Sequence, residues 1–266
     1  MNKVGVVIQA RTGSSRLANK VLLPFYEDQT ILSIVADKFI HCGLKVVIAT
    51  TNNTNDDVIE QFCQSKKLFC FRGAEFDVLN RFISCAKSFG FTSLIRVCSD
   101  NPFLDLKEID NLIKNIHVYK NADYISFMVN NLPSIKTHFG FWTEYVTLNA
   151  LEKVSKLTND KLYHEHVTNY IYMHPDLFNI VWLSTDAILS GEHNIRLTID
   201  TKEDFDNARE IYSKLASLGG SCELSAIINF MNDNVNLKER MIFFFTLEKV
   251  SPALQAACTE ESERLT

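Results

Sequence analysis

Five short apolar runs punctuate this chain and leave it few folds to choose from: residues 4–8, 45–50, 68–71, 93–97 and 194–199. Each is too short for a helix and stops at a polar turn, and the first is β-branched almost throughout, as buried strands are. Between them apolar residues recur at helical spacing, as at Ile31, Leu32, Ile34, Val35 and Phe39, and again from Val58, Val78 and Lys202. Strand and helix in alternation predict an α/β fold, a doubly wound and mostly parallel Rossmann-like sheet. Such sheets bind ligands outside the carboxyl ends of their strands, so the polar turns are the place to look for chemistry.

The turn after the first run is the most distinctive. Gln9-Ala10 leads into a loop with Arg11, Gly13, Ser14, Ser15, Arg16 and Lys20, and the first 26 residues hold four cations and no acid in a chain of net charge -5. Local cationic charge in an acidic protein suits a small polyanion better than DNA or RNA. Gly13 and the two serines let backbone N–H groups approach an anion, arginine forks grip its oxygens, and the Lys20 ammonium acts as a point charge. The set suits a triphosphate. Neither GxxxxGK[ST] nor GxGxxG occurs. Taken alone, the loop also fits a solvated turn with surface ion pairs.

Later turns add carboxylates. Asn55 or Asp56 is placed to cap a helix over residues 58–66, and Asp77 to cap the one carrying Val78, Phe82 and Ile83. Asp100 follows the fourth run and Asp200 the fifth, each just past a strand end. Two such aspartates can converge on one magnesium ion, or each can simply start a helix. His164 and His166, at i and i+2 before a helical run, do not share a face as zinc ligands would. From about 126 to 186 the alternation falters.

Composition bounds the rest. At 266 residues and 46% hydrophobic the chain can bury one substantial core, expected as one domain over residues 1–240 with a helix or tail of unknown role at 241–266. No apolar run approaches the eighteen or so residues of a membrane span, and Arg11 follows the first run too closely for a signal peptide, so a cytoplasmic protein without membrane or nucleic-acid partners is expected. Seven cysteines without a CxxC pair read as core residues in a reducing compartment.

Residues 10–22, A-R-T-G-S-S-R-L-A-N-K-V-L, resemble the signature loop of the sugar-acid cytidylyltransferases, the CMP-Kdo and acylneuraminate cytidylyltransferase group. The branch of the spore coat polysaccharide biosynthesis protein SpsF is nearest, with its pattern A-R-x-G-S-S-R-L-P-G-K-x-L. Ala18-Asn19 stands in place of Pro-Gly, and Asn is the next most tolerant residue for a left-handed turn. Further blocks are similar: Phe71 to Phe82 to F-R-G-x-x-x-D-V-L-x-R-F, Arg96 to Pro102 to R-x-x-G-D-C-P, Gly140 and Glu144 to P-x-G-x-x-V-E, residues 164–168 to R-E-H-V-T with His164 for arginine, and Asp200 to Asp204 to D-T-x-x-D. The resemblance runs over about residues 3 to 215.

It implies a nucleotidyltransferase fold of the GT-A type, with an inserted acceptor-side and dimer-forming subregion at about 126–186. The implied activity is transfer of CMP from CTP to a sugar or sugar acid, with release of pyrophosphate, in surface polysaccharide or glycoconjugate synthesis by a homodimer. Arg11, Arg16, Lys20 and Asp100 would be catalytic. Ala10, Gly13, Ser14, Ser15, Arg72, Asp77 and Arg81 would hold the nucleotide, and Asp100 and Asp200 would hold Mg2+. Two other readings stay open: a GT-A-like nucleotide-sugar glycosyltransferase, whose DxD would need a second acid that Asp100-Asn101-Pro102 lacks, and a non-catalytic nucleotide-binding protein.

Overall fold

A computed structural model describes residues 3–185, 195–217, 222–239 and 241. The strands are β1 (Val4–Gln9), β2 (Pro24–Tyr26), β3 (Gln29–Thr30), β4 (Val46–Thr51), β5 (Phe69–Gly73), β6 (Ser93–Cys98), β7 (Tyr124–Val129), β8 (Leu132–Pro133), β9 (Glu144–Thr147) and β10 (Ile180–Ser184). The helices are α1 (Ile31–His41), α2 (Asp57–Ser65), α3 (Val78–Phe89), α4 (Leu106–Val118), α5 (Leu148–Leu157), α6 (Lys161–Glu165), α7 (Asn169–Met173), α8 (Lys202–Ser217) and α9 (Leu224–Asp233). One eight-stranded sheet runs β10-β7-β9-β6-β1-β4-β5, with β8 beside β7, while β2 and β3 form a separate ribbon. β1 pairs in parallel with both β4 and β6, and β4 with β5. β9 runs antiparallel to both of its neighbours.

Alternation along the strands divides the core. Val6 and Ile8 pack with Ile34, Val35, Ile59, Leu112 and Ile211, so α1, α2, α4 and α8 cover one face. Val7 packs with Leu79, Phe82 and Leu151, so α3 and α5 cover the other. With both faces buried, β4 shows no polar alternation, as the sequence led one to expect. Among the described residues no helix is long and apolar enough to cross a membrane.

One expectation changes. The fifth strand, at 194–199, is not one: Asn194 lies outside the described residues, and 195–199 is an extended strap without a ladder. Ile195, Leu197 and Ile199 are buried in alternation, which mimics a strand. Their amides go elsewhere: Leu197 N–H donates to the His138 carbonyl at 2.8 Å and Ile199 N–H to the Asp100 carbonyl at 3.1 Å. The stretch 126–186, where the alternation falters, supplies β8, β9 and β10 to the central sheet. The tail expected at 241–266 lies, apart from Met241, outside the described residues.

Candidate active site

From β1 the chain builds outward to β4 and β5, then crosses back to lay β6 on the other side of β1. That reversal opens a crevice between the carboxyl ends of β1 and β6. A cavity of about 880 Å³ sits there. The loop after β1 forms one wall with Ala10, Arg11, Gly13, Ser14, Ser15, Arg16 and Lys20, and Asp77 and Arg81 form another. Asp100 and Asp200 line it as well, as do Lys161, His164 and His166.

The cationic loop is anchored from beneath by Asp56, a residue the sequence reading offered only as a helix cap. Its carboxylate is buried and accepts from Thr12 N–H at 2.7 Å, from Thr12 Oγ1 at 2.6 Å and from Thr51 Oγ1. Burial would raise its pKa, but these hydrogen bonds outweigh burial and hold it below the ordinary value. Asn19, at φ 57°, takes the left-handed turn that sends Lys20 back into the cavity.

Lys20 is the centre of the arrangement. Its buried ammonium donates to the Ile199 carbonyl and lies 3.2 Å from Asp100 Oδ2 and 3.3 Å from Asp200 Oδ1. Asp200 also meets Arg16 at 3.2 Å and Arg196 at 3.1 Å. Burial would raise the Asp200 pKa, yet Lys20, Arg16 and Arg196 together pull it below the ordinary value. Asp200 is free for this role because its helix is capped by others. Thr201 Oγ1 accepts from Asp204 N–H, and Asp204 Oδ2 accepts in return from the amides of Thr201 and Asp200. Asp204 also pins Arg196 at 2.9 Å.

The base-side candidates separate. Arg72 does not line the cavity. Its Nε donates to the Thr51 carbonyl, its Nη2 to the Asn53 carbonyl, and its Nη1 meets Asp57 at 2.6 Å and Glu60 at 2.9 Å, so it ties β4 to α2. Arg81 does line it, 3% exposed, with Nη1 donating to the Ala74 and Glu75 carbonyls. Burial, with Arg11 nearby, lowers its pKa to about 10. A Cβ on Gly73 would stand 2.9 Å from Arg81 Cγ, which is why glycine is needed there. Asp77 caps α3 by accepting from Asn80 N–H and also meets His164 Nδ1 at 2.8 Å.

Sequence reasoning passed over Arg96, which lines the cavity from the middle of β6. It pairs with buried Glu144, which also accepts from Tyr124 and from Thr168 Oγ1. The signal was available: an arginine in an apolar strand must find a carboxylate.

Asp100 and Asp200 share one ammonium, so their oxygens already converge and fit a hard divalent cation completed by water and phosphate. Among the described residues no group of three or more His, Cys, Asp or Glu could hold a metal ion by itself. The family described as Cytidylyltransferase matches residues 5–233. The chain belongs to the cytidylyltransferase family. Within it, this cytidylyltransferase is 33% identical over 241 residues to the spore coat polysaccharide biosynthesis protein SpsF of Bacillus subtilis, covering 88% of this chain and 96% of that one. A cytidylyltransferase structure from Leptospira borgpetersenii superposes with a TM-score of 0.76 at 27% identity, covering 89% of this chain and 97% of that one. CMP:2-keto-3-deoxy-manno-octonic acid synthetase, solved in complex with CTP, shares the fold at 15% identity, with a TM-score of 0.62 over 80% of this chain and 99% of that one. This cytidylyltransferase is thus a nucleotidyltransferase with the Rossmann-like fold of its class.

Proposed function

We propose that the chain transfers CMP from CTP to a hydroxyl of a sugar or sugar acid, releasing pyrophosphate, in the synthesis of a polysaccharide or glycoconjugate. One observation carries the reading: Lys20 stands between Asp100 and Asp200 directly beneath the Arg11 and Arg16 loop. The backbone of Gly13 to Ser15, the two guanidinium groups and the Lys20 ammonium hold the triphosphate and neutralise the charge that collects on pyrophosphate as it leaves. The acceptor oxygen forms a bond to the α-phosphorus as the bond from that phosphorus to the α,β-bridging oxygen breaks, so no protein nucleophile is needed. Magnesium held by Asp100 and Asp200 would supply further charge neutralisation at the phosphates. Ala10, Gly13, Ser14, Ser15, Asp77 and Arg81 form the nucleotide side of the cavity in this reading, and Lys161 and His166 the acceptor side. The protein would work as a homodimer through the 126–186 stretch, where Leu132, Leu157, Leu162 and Leu177 are exposed.

The test is pyrophosphate release from each of the four nucleoside triphosphates against a panel of sugar acids, with and without magnesium. CTP with at least one acid should support release; ATP or GTP turned over as fast as CTP would remove the cytidylyl assignment. Sedimentation of wild type and Leu162→Lys checks the dimer.

A further inference from the structure

Behind the turn that carries Asp100 lies a second cavity of about 10 Å³, walled by polar side chains that include Arg96, Asn101, Ser134, Trp142, Thr143 and Glu144. Three of its lining residues bring a buried polar atom that reaches no partner: Arg96 Nε, Asn101 Oδ1 and Trp142 Nε1. These side chains belong to residues only 6%, 7% and 6% exposed. Buried polar groups are nearly always paired, so three unpaired ones around one small space point to a ligand group. Neither donor is free to turn away. Arg96 is fixed through Nη1 to Glu144 and through Nη2 to Gln9 at 3.3 Å, and the Trp142 indole is wedged edge-on against Phe141 and Phe139 at 5.6 and 6.2 Å. The space admits about one water-sized group. Arg96 lines this cavity and the large one alike.

We propose that this is a subsite that reads one hydroxyl of the acceptor. Two N–H donors and one carboxamide oxygen match a group that accepts from Trp142 and Arg96 and donates to Asn101, as a single alcohol does. The inference rests on the transfer of CMP to a hydroxylated acceptor argued above. A substrate lacking that hydroxyl leaves three buried groups unpaired, and sites built this way discriminate strongly.

The experiment takes a sugar acid that supports pyrophosphate release together with its monodeoxy analogues. For wild type, one analogue should fall at least about tenfold in kcat/KM. Trp142→Phe keeps the ring and removes the N–H. It should raise KM for the parent acid about tenfold, leave KM for CTP unchanged and narrow the gap between parent and that analogue. Asn101→Ser should do the same and serves if the Trp142 variant does not fold. Unchanged acceptor KM in the folded variants, or equal use of every analogue by wild type, would reduce the cavity to the seat of a structural water. Absence of release with every acid would instead overturn the transfer reading, and this inference with it.

Discussion

Asp56 stands one residue before α2 and Asp200 two before α8, and neither spends its side chain on capping the helix. Asp56 holds the cationic loop after β1 through Thr12 and Thr51, while Thr201 and Asp204 cap α8 and leave Asp200 for Lys20. A cap is judged from the residue's own type, but which of two neighbours does the capping depends on three-dimensional competition for the same amides. Asp100→Asn and Asp200→Asn are each expected to lower turnover by about two orders of magnitude or more, since both remove charge at the reacting phosphates. The double variant should be little worse than either single, as residues acting in one unit are not additive. Melting temperatures should move by only a few degrees, because the α8 cap is untouched; a large loss of stability with full specific activity would show that the pair is architectural. Arg72→Ala is expected to do the opposite. It should cost about 1 to 2 kcal/mol in chemical denaturation while KM for CTP holds, because its partners are Asp57, Glu60 and two carbonyls outside the cavity. Nothing in the block around Arg72 distinguishes a base contact from a clamp until the path of β5 beside β4 is known.

At the scale of elements, the short helix α6 is fastened to the start of α3 through His164. Its Nδ1 meets Asp77 and its Nε2 meets the Thr158 carbonyl at 3.0 Å, two acceptors that only a ring protonated on both nitrogens can serve. Burial would lower the His164 pKa, but the Thr158 carbonyl and Asp77, with Asp160 close by, outweigh it and raise the value. The sign follows. A raised folded pKa contributes stability that is fully present below the unfolded value of about 6.5 and is lost as pH rises through the folded one. Asp77, whose pKa is lowered against burial by Asn80 and His164, contributes above the ordinary aspartate value and loses it in acid. The stability difference between wild type and His164→Gln should therefore shrink as thermal unfolding is followed from about pH 6 to about pH 9; a difference independent of pH would break the assignment. The strands were unequally legible. β1, β4 and β6 are covered on both sides and read as plain apolar runs, and the edge strand β5 reads the same way although none of its residues is fully buried, whereas β9 is four residues long, antiparallel and hidden in an aromatic stretch. The strap at 195–199 has the apolar pattern of a strand and lacks only the neighbour, which no local pattern reveals.

For the molecule as a whole, the sheet order fixes where chemistry can occur, and the strap completes it. Leu197 is fully buried in the core cluster that also holds Val97 and Phe103. Leu197→Ala should cost about 2 to 5 kcal/mol and depress turnover more than CTP binding, since the cationic loop after β1 is held separately by Asp56; calorimetry with CTP beside pyrophosphate release separates the two. Lys20 and Asp200 are 180 residues apart in the chain. During synthesis from the amino end, the loop after β1 and Asp100 leave the ribosome long before the strap exists. The contacts of Lys20 with Ile199 and Asp200 therefore wait for the docking of a few residues that pair with no strand of the described sheets.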